Sequence, residues 1–181
     1  MAIAKEQDFH PNDAELTRMR RRHVRAVMRI ENLVYPRPWS STLFYQEIAN
    51  RPDRVYLIAR LEGEVIGYAG IMTSGYESHV TTIAVDPEYQ GRRLGMKLMI
   101  GLFDAAIENG GRTMSLEVRM TNAVAQTMYT RFGFKPVGIR RGYYVESGED
   151  AIVMLCEQID TVEFAQRLDD LREVVAGPLR S

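Results

Sequence analysis

The sequence predicts a mixed α/β domain of the α+β kind, one mostly antiparallel sheet with helices on its faces. Three stretches carry that prediction. Residues 55–61 and 65–73 are apolar, β-branched runs separated by Glu62-Gly63-Glu64, which is a hairpin signal. Residues 82–120 read strand, turn, helix, strand. That is a βαβ unit, and it demands one parallel pair, residues 113–120 beside 82–85, joined by a right-handed crossover. Residues 134–144 and 151–158, joined by the polar stretch 146–150, read as a closing antiparallel pair.

The remaining elements follow in order. Residues 1–14 are polar, lack the apolar run of a signal peptide, and are expected to be a flexible N-terminal segment. Residues 16–19 alternate polar and apolar and suit a short first strand. Residues 21–35 suit a helix, with Val24, Val27, Met28 and Leu33 approximating one apolar face. Arg20, Arg21, Arg22, His23, Arg25 and Arg29 make a cationic stretch along it. A solvated face is the favoured reading, and docking on RNA or an acidic partner the alternative.

Tyr35-Pro36-Arg37-Pro38-Trp39-Ser40 breaks that helix, because proline lacks the N–H that a helix interior needs. Ser40 or Ser41 caps the next helix, residues 42–50. The loop between them is either a packed corner or a binding lip, and composition favours the corner. Residues 76–85 form a third strand, stopped by Asp86-Pro87. Residues 92–109 form a helix with a buried stripe of Leu94, Leu98, Leu102 and Ala105, ended by Gly110-Gly111. Asn122 caps a helix over 123–132, and Gly133 suits its C-terminal end. Val162, Ala165, Leu168, Leu171 and Val175 recur at helical spacing over 160–175. The expected organisation is therefore a flexible segment 1–14, one domain 15–158 and a C-terminal helical extension 159–181. The extension either packs on the domain or forms a dimer contact.

Composition narrows the function classes. The 181 residues suffice for one full core. Against 23 basic residues stand 24 acidic ones, giving a formal charge of −1, so no direct nucleic-acid binding is expected. No apolar run approaches the ~20 residues that span a bilayer, and a cytoplasmic protein is the default. Cys156 is the only cysteine and sits in an apolar strand, which suits a buried, inert thiol. His10, His23 and His79 are scattered without metal-ligand spacing.

Candidate chemistry concentrates in two places. Gln90-Gly91-Arg92-Arg93-Leu94-Gly95 follows a strand and opens a helix, whose first N–H groups lack partners and carry partial positive charge. Gly91 and Gly95 admit close approach to the backbone, and Arg92, Arg93 and Lys97 add charge. The pattern suits a pyrophosphate, although it is neither the dinucleotide GxGxxG nor a P-loop. In strand 113–120, Ser115, Glu117 and Arg119 point opposite to Met114, Leu116 and Val118. Glu117 is then either half of a surface pair with Arg119 or a general base. Tyr129 and Ala125 flank a stripe of Val124, Met128 and Phe132. Packing is the commoner role for such a tyrosine, and proton donation the rarer one. Asn122 reads as a cap.

Taken together these residues resemble the GNAT family of acetyl-CoA-dependent N-acetyltransferases. Gln90–Gly95 is similar to the family's Gln/Arg-x-x-Gly-x-Gly/Ala signature, with Arg93 where its first glycine stands. A longer, ordered set is similar to the ribosomal-protein-alanine N-acetyltransferase branch. It comprises Pro38-Trp39-Ser40, Leu116-Glu117-Val118-Arg119, Thr121-Asn122, Met128-Tyr129, Phe132-Gly133-Phe134, Ile139-Arg140-Arg141-Gly142-Tyr143-Tyr144 and Glu149-Asp150-Ala151.

The resemblance implies a sheet whose parallel pair splays to admit acetyl-CoA. It implies Glu117 as proton acceptor and Tyr129 as proton donor. Ile83, Ala84, Val85, Gln90, Gly91, Arg92, Arg93, Leu94, Gly95, Met96 and Asn122 would contact acetyl-CoA. Tyr35, Trp39 and Tyr143 would line the acceptor groove, and no metal is implied. The acceptor implied is a protein N-terminus, the N-terminal alanine of a small-subunit ribosomal protein. With the role of the C-terminal helix open, a monomer or a homodimer is expected. Two alternatives stay open. One is a polyamine or amino-sugar acetyltransferase using Glu146, Glu149 and Asp150 to hold a polycation. The other is a non-catalytic acyl-CoA-binding module.

Overall fold

The computed structural model describes residues 9–179. One seven-stranded sheet runs in the order β1-β2-β3-β4-β5-β7-β6. Its strands are β1 (Glu15–Arg18), β2 (Arg54–Leu61), β3 (Glu64–Ser74), β4 (Glu77–Val85), β5 (Thr113–Arg119), β6 (Lys135–Tyr144) and β7 (Glu149–Glu157). Every neighbouring pair is antiparallel except β4–β5. That parallel ladder is short. Glu77 faces Thr113, Ser78 faces Met114 and His79 faces Ser115, and there pairing stops. The sequence places the contact at 82–85, but the strands have parted by then. A register shift at Gly70/Ile71 leaves Thr81 as an extra residue in β4. Such a bulge bends the strand that carries it.

Helices α1 (Val24–Val34) and α2 (Ser41–Glu47) cover one face, where Val24, Val27, Ile30 and Phe44 meet Tyr56, Ile58 and Tyr68. Leu33 does not join them and is 59% exposed. It lies nine residues after Val24, about half a turn round the helix at 3.6 residues per turn. Ile30 takes the expected inward place. Ser40 caps α2, its hydroxyl accepting from the Leu43 N–H.

The other face carries α3 (Leu94–Glu108), α4 (Ala123–Phe132) and α5 (Val162–Ala176). Leu94, Leu98, Leu102 and Ala105 are buried as expected. Phe103 stacks on Phe132 at 5.4 Å and meets Phe164 at 4.9 Å. In α4 the inward stripe is Ala125, Met128, Tyr129 and Phe132, while Val124 is 84% exposed. Val124 is eight positions before Phe132 and so about 80° away from it round the helix. In α5 the buried stripe is Phe164, Leu168, Leu171 and Val175, and both Val162 and Ala165 face outward. The C-terminal extension thus packs on the domain.

The expected flexible segment divides. Residues 1–8 lie outside the described residues. Residues 9–14 are docked, with Phe9 buried edge-on to Tyr89 at 5.2 Å and Lys97 Nζ donating to the carbonyls of Pro11 at 2.8 Å and of Ala14. No helix among the described residues is long and apolar enough to cross a membrane.

Candidate active site

Where β4 and β5 part, a cleft of about 380 Å³ opens through the sheet. The β4 edge supplies one wall. The Asp86 N–H donates to Ile66 O at 2.9 Å, so Ile66 and Asp86 form a bonded pair of the β3–β4 ladder. Antiparallel pairing alternates, so the backbone groups of Ile83 and Val85 face away from β3 and into the gap. The carbonyls show this, because Tyr35 Oη donates to Ile83 O at 2.6 Å and Gln90 Nε2 to Val85 O at 3.1 Å. An unpaired strand edge beside a glycine turn fits the amide-bearing arm of a coenzyme A thioester.

Opposite that edge stands Glu117, its side chain 9% exposed. His79 Nε2 lies 2.9 Å from one carboxylate oxygen and Arg140 Nε 3.2 Å from the other. His79 Nδ1 is 2.9 Å from Ser115 Oγ, so the imidazole is held from both sides. The His79 hydrogen bond, then the charges of His79 and Arg140, outweigh burial and hold the Glu117 carboxyl below the usual carboxylate range. A general base of this kind is expected to have its pKa lifted by burial, yet here the His79 hydrogen bond and the nearby Arg140 guanidinium reverse the sign. The Glu117–Arg119 surface pair, one of the two readings open for Glu117, is absent among the described residues. Arg119 instead bonds Glu149 at 3.1 Å and Glu146, with its guanidinium 3.8 Å from the Tyr144 ring centroid.

Tyr129 reaches the same cleft from α4, on the far side of the sheet. It is 6% exposed, and its hydroxyl has no hydrogen-bond partner among the described residues. Burial pushes the phenol well above its ordinary value, so it keeps its proton. Carboxylate and phenol thus meet one cavity from opposite faces of the sheet.

Tyr35, Trp39 and Tyr143 all line the cleft, and so does Asn122. Asn122 also caps α4, its Oδ1 accepting from the Ala125 N–H at 3.1 Å. Trp39 is corner and lip at once. Its ring lies 5.4 Å from Phe44, and its backbone N–H donates to Glu31 at 2.8 Å. Glu31 is 1% exposed, also accepts from the Tyr68 hydroxyl, and is pushed up by burial.

The turn 90–96 lies past the end of β4, outside the cleft lining. Gly91 has φ +74° and Arg93 φ +62°, both left-handed. The Arg93 side chain turns away from the turn, and its Nη1 donates to the carbonyls of Val174 and Gly177, the latter at 3.2 Å. Carbonyls at the C-terminal end of α5 attract a cation. Lys97 is likewise held by Pro11 and Ala14. Of the three cations expected at this turn, only Arg92 has no polar partner among the described residues. The Leu94 and Met96 side chains are buried in the core, 1% and 5% exposed, leaving only their backbone for a ligand.

Three positions that sequence reasoning passed over matter here: His79, Arg140 and Glu31. His79 becomes visible only through register, since the strand pairing that sets it beside Ser115 and Glu117 cannot be read from spacing. Glu146, Glu149 and Asp150 are already engaged, by Arg119, by the Thr121 N–H at 2.9 Å, and by Arg141 and the Gly142 N–H. Cys156 is buried and its thiol is pushed up to about 12, which leaves it unreactive. Among the described residues no three His, Cys, Asp or Glu side chains gather as a metal site.

Residues 24–134, from the start of α1 to the residue before β6, match the acetyltransferase (GNAT) family. The chain belongs to that family. As a GNAT protein it is an acetyl-CoA-dependent N-acetyltransferase, with acetyl-CoA as co-substrate. The N-alpha-acetyltransferase RimI of Mycobacterium tuberculosis is 44% identical over 121 residues, 65% of this chain and 74% of that protein. The [ribosomal protein bS18]-alanine N-acetyltransferase of Escherichia coli K12 is 37% identical over 133 residues, 71% of this chain and 87% of that protein. The crystal structure of the ribosomal-protein-S18-alanine N-acetyltransferase from Escherichia coli superposes with a TM-score of 0.74 at 30% identity. It covers 80% of this chain and 94% of that one.

Proposed function

We propose that this GNAT enzyme acetylates the α-amino group of a protein N-terminus, the N-terminal alanine of a small-subunit ribosomal protein, by direct transfer from acetyl-CoA. Glu117 is the base, and Tyr129 is the acid. The observation that carries the reading is that both side chains enter one cleft at the β4–β5 gap from opposite faces of the sheet. The names of the relatives support a protein acceptor.

In this mechanism the acceptor enters between the Tyr35–Trp39 lip and the Tyr143 hairpin. Its ammonium, with a pKa of about 7.7–8.0, gives a proton to Glu117 directly or through one water. The free amine attacks the thioester carbonyl. The Val85 N–H, facing the gap, meets the developing oxyanion. As the C–S bond breaks, Tyr129 protonates the departing thiolate. A phenol with no competing hydrogen bond suits that task. The engagement of Glu146, Glu149 and Asp150 removes the feature that favoured a polyamine acceptor.

Replacing Glu117 with Gln keeps the shape and removes the base. Turnover on an alanine-terminated peptide is expected to fall about 10²-fold or more, with acetyl-CoA binding nearly intact by calorimetry. Wild-type turnover in Glu117→Gln across pH 6–8 overturns the assignment.

A further inference from the structure

Outside the cleft, a run of arginines without carboxylate partners among the described residues lies between the end of β1 and the first turn of α1. Arg18, Arg20, Arg21, Arg22 and Arg25 are all exposed. Among the described residues none of the five makes an ion pair with a carboxylate. Arg29, one turn on, does so with Asp86 at 2.7 Å. Of the nearest acids along the chain, Glu15 faces Arg60 across the β1–β2 ladder and Glu31 is buried.

Five cations in eight residues are concentrated here although the whole chain is nearly neutral. Fold stability does not explain them, because cations at a helix N-terminus oppose its macrodipole. No large apolar side chain is exposed between residues 18 and 25, which argues against a membrane or an apolar protein interface. The field is felt locally. His23 is held below its ordinary value, first by burial and then by Arg22, Arg60 and Arg20. The Arg21 guanidinium lies 4.6 Å from the Tyr45 ring centroid, a cation on an aromatic plane of the kind on which nucleobases stack. Tyr35, at the other end of α1, lines the acetylation cleft. The helical rise of 1.5 Å per residue separates Arg25 from it by ~15 Å.

We infer that this arginine surface binds the phosphate backbone of RNA next to the mouth of the acceptor cleft. The inference stands on the patch and not on the identity of the acetylated amine. Balanced overall charge argues against a general nucleic-acid binder. It does not weigh against one local patch, and the structure supplies the reason: among the described residues no carboxylate neutralises these guanidinium groups, Arg22 Nε bonding only the His23 ring at 3.2 Å and Arg21 lying on Tyr45.

The probe is a fluorescein-labelled, unstructured 20-nucleotide RNA, read by anisotropy with the full chain between 50 and 200 mM salt. A poly-glutamate peptide of similar charge serves as the competing partner class. With five phosphates neutralised, affinity should fall about 100-fold across that range. Replacing Arg18, Arg20, Arg22 and Arg25 together by Gln should weaken RNA binding at least about tenfold and flatten the log–log salt slope by about 3. Acetylation of a short peptide should be unchanged. Arg21→Ala alone should weaken RNA binding with less change in slope.

Absence of RNA binding at 50 mM salt overturns the proposal. So does a quadruple variant with wild-type affinity and slope, or poly-glutamate bound as tightly as RNA. If the quadruple variant fails to fold, the wild-type slope decides, and a magnitude below about 2 overturns it.

Discussion

Glu117 is a carboxylate kept charged by its neighbours, and that fixes how the reaction should respond to pH. Its value is lowered, so between pH 6 and 8 it is already ionised and cannot set the acidic limb of kcat/KM. The limb should instead follow loss of the proton from the acceptor amine, rising towards about pH 8. An acceptor with a less basic amine should carry the limb down with it, and a limb that stays put places the titrating group on the enzyme. The same sign governs stability. A lowered folded value stabilises the protein above the unfolded carboxyl pKa, and that contribution is lost as pH falls through the folded one. The melting-temperature difference between wild type and Glu117→Gln should therefore shrink in acid. Tyr129→Phe removes only the proton donor. It should lower kcat about 10²-fold with the KM for peptide little changed, and a changed KM with intact kcat counts against the donor role.

At the scale of elements, the resemblance implies a coenzyme A turn with a glycine where this chain has Arg93, and the structure gives that arginine a different task. Its backbone accepts the left-handed conformation, a cost a glycine escapes, while its guanidinium holds the end of α5. Arg93→Gly should therefore lower the melting temperature and leave the KM for acetyl-CoA nearly unchanged. A tenfold rise in that KM without a change in melting temperature makes Arg93 a phosphate ligand instead.

The same turn shows where sequence reasoning reaches and stops. The glycine pattern, the strand before it and the helix stripe are local signals, so α3 was legible to within a turn. The alternation that separates Glu117 from Leu116 was legible too. His79 was not, since its meaning depends on which residue of a distant strand it faces. Nor was the buried Glu31, whose two donors come from a loop and from β3. Strand register and side-chain reach across the fold are tertiary facts, and spacing along the chain does not encode them.

For the molecule as a whole, α5 lies beyond the family match at 24–134 yet belongs to the main core. Phe164 packs on Phe103, which stacks on Phe132 of α4, the helix that carries Tyr129. The hydrogen bonds from Arg93 tie the far end of α5 to the first turn of α3. His10 Nε2 reaches Gly177 O at 2.9 Å, and Lys97 holds residues 11 and 14, so residues 10–14 and the end of α5 brace the same turn. Burying Phe164, Leu168, Leu171 and Val175 is worth about 1.5–3 kcal/mol each, or about 6–12 kcal/mol together. That is comparable with the whole stability of an ordinary domain, about 5–15 kcal/mol. A chain ending at residue 160 should accordingly fail to give a cooperative thermal transition and should lose acetyl-CoA binding with it. If the shortened chain melts cooperatively within a few degrees of the full one, α5 is an appendage, and α3 and α4 hold the cleft without it.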